Sequence, residues 1–252
     1  MFLRKRAAVV PLLAMAAAFS CPRSARSADV AGSASLGVSS KYVWRGIIFT
    51  DGPVLQPGAS AEVSGFTLGI WGNMDLDDVN SQSGKFNEVD YTVDYNFPVG
   101  DKASVSVGAI LYDFPNTTSA ATTELYAKVG FGVPGDPSVT IYKDVDEAKG
   151  LYVSFGGGYG VPLGGERTLD LGLSVGFGDS DHNAFYYTVA GSALTDVLFT
   201  VGSTFELSGG KVSVTPSLAI PALIDGGIAD AFELAGKDTS SVVFGVSVSC
   251  KF

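Results

Sequence analysis

The sequence predicts an all-β protein, a transmembrane up-and-down antiparallel β-barrel of twelve strands. Three observations point there. Segment after segment alternates apolar and polar residues with a period of two, the signature of strands wet on one face only. The connectors alternate between long and short, as they do when one end of a barrel carries loops and the other tight turns. The last segment runs to the final residue, Phe252, so the chain finishes on a strand.

The first 27 residues stand apart from this pattern. Arg4-Lys5-Arg6 is basic, Ala7 to Phe19 is an apolar run, and Ala25-Arg26-Ser27 supplies small residues for cleavage before Ala28. That is the layout of a secretory signal peptide, and the apolar run is too short for a membrane-spanning helix. Phe19-Ser20-Cys21-Pro22 fits a lipidation signal poorly. The expected barrel domain is therefore 28–252.

Twelve segments follow, at 32–46, 54–63, 66–76, 86–97, 102–112, 121–131, 138–147, 149–160, 167–178, 193–207, 211–222 and 240–252. Each has about the ten residues that a tilted strand needs to cross a bilayer. The first presents Leu36, Val38, Tyr42 and Trp44 on its apolar face, the last two expected in an interfacial aromatic belt. The third presents Phe66, Leu68 and Ile70, and the fourth Val89, Tyr91, Val93, Tyr95 and Phe97. The ninth presents Leu169, Leu171, Leu173, Val175 and Phe177. The last sets Val242, Phe244, Val246, Val248, Cys250 and Phe252 against Ser241, Gly245, Ser247, Ser249 and Lys251. Only 138–160 is ambiguous, because its connector near Ala148 is tight where the parity demands a loop.

The odd connectors include 47–53, 77–85, 113–120, 179–192 and 223–239, while the even ones are short turns such as Ser64-Gly65. An even strand number returns the C-terminus to the end where the N-terminus starts. Alternation alone also fits a soluble barrel with its apolar face inward. The strand number, the connector asymmetry and the terminal Phe252 favour the membrane.

Charge falls on the polar faces. Lumen candidates are Lys41, Arg45, Asp75, Glu88, Asp90, Asp94, Glu124, Lys128, Asp144, Asp170 and Asp196. Glu62, Lys102, Asp146, Glu206 and Lys251 complete eleven acids and five bases. Lys143 alone breaks the rule: either it lies near an interface, where a long side chain reaches water, or the register assigned to its segment is wrong. An excess of inward acids makes the lumen electronegative and favours cations.

Composition narrows the class further. Removing the five bases of the signal peptide from sixteen leaves eleven against 26 acids, a mature charge of −15. That argues against nucleic-acid binding. Of two cysteines only Cys250 follows the cleavage site, so a disulfide-dense scaffold and a cysteine metal site are not expected. Thirty-two glycines and 11% aromatics suit strands, tight turns and interface rings.

Residues 39–78 carry a specific pattern. Ser39-Ser40-Lys41-Tyr42-Val43-Trp44-Arg45-Gly46-Ile47 comes first, then Asp51-Gly52-Pro53-Val54-Leu55-Gln56-Pro57-Gly58. Ser64-Gly65-Phe66-Thr67-Leu68-Gly69-Ile70-Trp71-Gly72-Asn73 completes it. This resembles the TorF-family porins of proteobacterial outer membranes, a conserved family of unknown function. Ile48 stands where that family usually has Ser. The terminal Phe252 is similar to the signal read by the bacterial barrel-assembly machinery. The resemblance implies passive passage of small solutes across a Gram-negative outer membrane, with lipids and that machinery as partners and no cofactor. A second expectation is a non-conducting barrel whose loops, above all 179–192 and 223–239, bind a ligand or partner. Within the motif, Arg45 is expected on the lumen face of the first strand, either clamped to Asp75 or the acids of the fourth strand or setting selectivity at a constriction.

Catalysis is not expected. His182, the only histidine, lies in Asp179-Ser180-Asp181-His182-Asn183, which reads as a solvated loop; nothing independent pairs it with Ser180 as a hydrolase needs. Asp75-Leu76-Asp77-Asp78-Val79-Asn80 lacks the glutamate of a calcium loop, since Phe86 stands at the twelfth position. Gly156-Gly157-Gly158 is followed by no Lys-Ser/Thr and marks strand curvature rather than a phosphate loop.

Overall fold

The computed structural model describes residues 30–164 and 167–252; the expected signal peptide lies outside them. In chain order the strands are β1 (Ala31–Ser39), β2 (Tyr42–Trp44), β3 (Ile47–Thr50), β4 (Val54–Val63), β5 (Phe66–Asp75), β6 (Phe86–Val99), β7 (Ala103–Asp113), β8 (Thr122–Phe131), β9 (Ser138–Asp144), β10 (Leu151–Gly164), β11 (Arg167–Gly178), β12 (Ala193–Gly202), β13 (Phe205–Leu207), β14 (Val212–Leu223) and β15 (Val243–Lys251). Two helices, α1 (Ser180–Tyr186) and α2 (Gly226–Leu234), lie in the connectors after β11 and β14.

Twelve of these strands close into one antiparallel barrel. β1 pairs with β4, each following wall strand pairs with its neighbour, β12 pairs with β14, and β15 returns to β1. The short β13 is an extra strand on β14. At the seam Ser33 faces Lys251 and Ser39 faces Gly245. Phe252 extends the seam: its N–H donates to the Gly32 carbonyl at 2.9 Å and its carbonyl accepts from the Gly32 N–H at 2.8 Å. Its ring lies over Gly32, where any Cβ would collide with it.

The wall is apolar outside and polar inside. Phe66, Leu68, Ile70, Tyr91, Val93, Leu173 and Phe244 are exposed on the outer face, the belt a bilayer demands. The alternate positions of β5 and β6 face the lumen, where Asn73, Asp75 and Glu88 are buried. Lys143 stands with the outer residues at the end of β9, and its Nζ donates to the Lys149 carbonyl at 2.6 Å, so it reaches the rim as expected.

The first segment is shorter than expected. The chain leaves the wall after Ser39, and the remainder of 32–46 turns inward as the β2–β3 hairpin, a separate two-stranded sheet. A hairpin has the same period of two as a wall strand, so alternation cannot show the departure. The tenth segment is interrupted between β12 and β13, and the seventh stops at Asp144.

The connectors at 179–192 and 223–239 fold over the loop end, burying His182, Asn183, Tyr187, Ile228 and Phe232 and leaving their other sides exposed. Asp179 caps α1, accepting from the His182 N–H at 2.9 Å, and Asp225 caps α2, accepting from the Ile228 N–H at 3.0 Å. Each such cap is worth about 1 kcal/mol. Ile228 and Phe232 of α2 then pack with Leu223, Tyr187 and Ile47 in a small apolar cluster over the loop end of the barrel. An unheated, folded sample should therefore migrate differently from a boiled one on a denaturing gel; identical mobility would contradict a closed barrel.

Candidate functional site

The hairpin brings chemistry into the lumen. Trp44 pairs with Ile47, leaving Arg45 and Gly46 as a two-residue turn with φ of 47° and 79°. Two consecutive positive φ values define the type I′ turn that matches strand twist, and its second position suits glycine. Gly46 is needed for a second reason: a Cβ there would sit 2.7 Å from Leu223 Cδ2 and 2.9 Å from Asp196 Cβ. The turn is thus pressed against β12 and β14.

From this tip Arg45 meets the β8 wall. Nη1 donates to Glu124 Oε1 at 2.8 Å and Nη2 to Oε2 at 2.7 Å, a bidentate pair with almost no solvent exposure. Tyr112 Oη donates a third bond to Oε2 at 2.9 Å. The guanidinium carbon lies 4.0 Å from the Tyr152 ring centre, 4.2 Å from Trp44 and 4.9 Å from Tyr142. Planar stacking of this kind suits arginine and not lysine. Tyr187 Oη donates to the Arg45 carbonyl at 2.8 Å, tying the turn to the segment after α1. Tyr152 Oη in turn donates to Asp196 Oδ2 at 3.0 Å, beside Thr195 Oγ1 at 2.7 Å.

The base of the hairpin is held separately. Lys41 and Asp51 form an ion pair, and Thr50 Oγ1 donates to Asp75 Oδ1 at 2.8 Å. Asn80 and Asn87 side-chain amides also donate to Asp75, at 2.9 and 2.8 Å. Tyr42 packs on Trp71, ring centres 5.6 Å apart, and Trp44 on Tyr186 at 4.9 Å. Tyr42 and Trp44 are therefore lumen aromatics and not the interfacial belt their alternation suggests.

The other candidates fall into two sets. Glu88 and Asp90 lie on β6, Glu88 close to Tyr42 of the hairpin, and Asp90 Oδ1 is buried without a hydrogen-bond partner. Asp144 is directly opposite Glu124 in the β8–β9 ladder and accepts from Thr122 Oγ1 at 2.6 Å and from the N–H groups of Asp146 and Lys149. Nearer the turn end, Asp94 accepts from Tyr126 Oη at 2.6 Å, Asp170 accepts from Thr168 Oγ1 at 2.8 Å, and Lys128 is exposed. The structure joins Arg45 to Glu124 and not to Asp75 or the β6 acids, because the hairpin carries it across the lumen. Tyr112, Tyr142 and Tyr152 are site residues that the acid-and-base search passed over. Their signal is position: aromatics on the same parity as Glu124, Asp144 and Ser154.

His182 is buried, not solvated. It lies in α1 with ring centres 5.1 Å from Tyr152 and 4.7 Å from Tyr186, and neither ring nitrogen has a hydrogen-bond partner. Ser180 Oγ instead accepts from the Gly191 N–H, so the residues do not form a hydrolase pair. Burial, with the Arg45 charge adding to it and Asp179 opposing, lowers the imidazole pKa to about 3.

A cavity of about 470 Å³ remains beside the hairpin. Its lining runs from Gln56 and Trp71 through Ile110 and Ser154 to Leu198 and Pro221, around the hairpin residues themselves. A closed wall, an apolar exterior and a polar lumen narrowed by an inward-folded loop define a transmembrane-type β-barrel.

Comparison with known proteins agrees at that level. The NanC porin superposes with a TM-score of 0.54 at 11% identity, over 87% of this chain and 100% of that one. The KdgM porin gives 0.54 at 13%, over 87% and 99%, and the KdgM porin in complex with disordered oligogalacturonate gives 0.52 at 12%, over 88% and 99%. A family of bacterial proteins of unknown function, Gcw_chp, matches residues 24–136, which include the whole hairpin. No curated protein matches.

Two outcomes test this site. Arg45→Ala leaves Glu124 buried without its counter-charge and should cost about 3 kcal/mol in urea unfolding, while Arg45→Met with Glu124→Leu recovers most of it. His182 is neutral when folded and binds a proton near its usual pKa when unfolded. Its contribution is therefore complete above about pH 6.5 and lost progressively as pH falls toward about 3. In thermal melts, His182→Phe should show a smaller acid loss over that window than the native chain; parallel curves would exclude the assignment.

Proposed function

We propose that this chain is an outer-membrane channel of a Gram-negative bacterium, of the TorF type, for passive diffusion of small solutes with a preference for cations. The observation that carries the reading is a closed barrel, apolar outside, whose lumen keeps a cavity of about 470 Å³ past an inward-folded hairpin. A channel needs a wet path inside a lipid-compatible wall, and a folded-in loop is the economical way to narrow one.

Cation preference rests on how the charges are held. The hydrogen-bond donors to Asp75 and Asp144 come from hydroxyl, amide and backbone groups, which carry no compensating positive charge. Arg45, the base nearest the constriction, is already matched by Glu124. The lumen field is then set by acids, which would oppose an anionic chain such as the oligogalacturonate held by the KdgM porin. Lipids, the assembly machinery acting through Phe252, and small solutes are the partners of this reading, and it assigns no catalysis.

Purified, refolded protein in a planar bilayer should give small discrete conductance steps. In a tenfold potassium chloride gradient the reversal potential should lie toward the potassium value. Absence of steps at every voltage overturns the channel, and a shift toward the chloride value overturns the cation preference alone.

A further inference from the structure

We propose that the cage around Arg45 is a recognition site for solutes bearing a guanidinium group, and that Arg45 is its tethered resident competitor. This deepens the channel reading and rests on it. The cage has what a planar cation requires: a carboxylate offering both oxygens in line, Glu124 at 2.7 and 2.8 Å, and aromatic faces at 4.0, 4.2 and 4.9 Å. Glu124, Tyr142 and Tyr152 belong to the wall and are oriented by wall partners, Tyr112 Oη on Glu124 and Asp196 on Tyr152. Only Arg45 and Trp44 belong to the hairpin.

The cage also borders the cavity. Arg45, Tyr142 and Tyr152 line it together with Asp196. A solute in that space is therefore beside the ring faces that the resident guanidinium covers. Its own guanidinium would take the same two hydrogen bonds and the same stacking, releasing the hairpin tip. A bare ammonium would not, because it cannot match both carboxylate oxygens in one plane. Passage and release of the hairpin are then linked through one shared site, and the resident arginine lowers the apparent affinity by the fraction of time it occupies the cage.

Competition has a sign that a purely structural clamp lacks: weakening the resident must tighten the solute. The measurement is block of potassium current by methylguanidinium, with methylammonium as the like-charged control, in native and Arg45→Lys proteins. A parallel titration of tryptophan fluorescence in detergent, with Trp71→Phe in every variant so that Trp44 alone reports, needs no conductance. Expected are saturable responses to methylguanidinium alone, with a half-effect concentration roughly tenfold lower in Arg45→Lys and raised again by at least tenfold when Glu124→Gln is added. Equal half-effects in native and Arg45→Lys proteins, or equal responses to methylammonium, overturn the site. Conductance with no saturable response removes the site and leaves the channel. A saturable fluorescence response without conductance keeps the site and removes the channel. If Arg45→Lys fails the gel-mobility test of folding, Tyr187→Phe replaces it: it removes the bond to the Arg45 carbonyl, which loosens the hairpin tip and leaves the cage intact, so a lower half-effect is expected and an unchanged one overturns the proposal.

Discussion

Every backbone group in a bilayer must find its partner within the protein, and this single constraint organises the chain. A sheet with a free edge is excluded, so β15 has to return to β1. The period of two then sorts each strand into an apolar outer row and a polar inner row. Because the outer row faces lipid, order inside the lumen comes, among the described residues, from hydrogen bonds, ring contacts and the buried Arg45–Glu124 pair.

That inversion explains how the loop end is built. A hydrophobic core would collapse by itself, whereas a polar lumen stays open unless something is placed in it. The β2–β3 hairpin and the segments carrying α1 and α2 supply that filling. They meet through Ile47, Tyr187, Leu223, Ile228 and Phe232, the apolar cluster that the wall itself does not provide. The turn-end half is left to small polar side chains and solvent-exposed groups such as Lys128. The lumen is therefore asymmetric, crowded and aromatic at one end and plain at the other.

Much of the wall was legible in the sequence, and the filling was not. Strands such as β4, β5 and β11 follow alternation almost to the residue, because lipid on one side and water on the other constrain every position. Arg45 was legible as a lumen residue, yet its partner was not. Alternation reports which way a side chain faces and says nothing of the point where the chain leaves the wall, so Tyr42 and Trp44 looked like a belt. His182 looked solvated for a related reason. Its ring is covered by Tyr152 of the wall and Trp44 of the hairpin, both distant in sequence, and the local sequence shows only the Asp179 cap that starts α1. The helix after Asp225 left a similar mark in its capping aspartate.

The ion pair has one more consequence. Arg45 is tethered to β1 through its hairpin, while Glu124 belongs to β8, with β4, β5, β6 and β7 laid between β1 and β8 along the wall. A slip of one residue at any of those pairings would turn the Glu124 row toward lipid. The two halves of the bond can meet only when the intervening registers are all correct. Arg45 and Glu124 thus behave as the two marks of a vernier, which line up only in a barrel that has been counted without error.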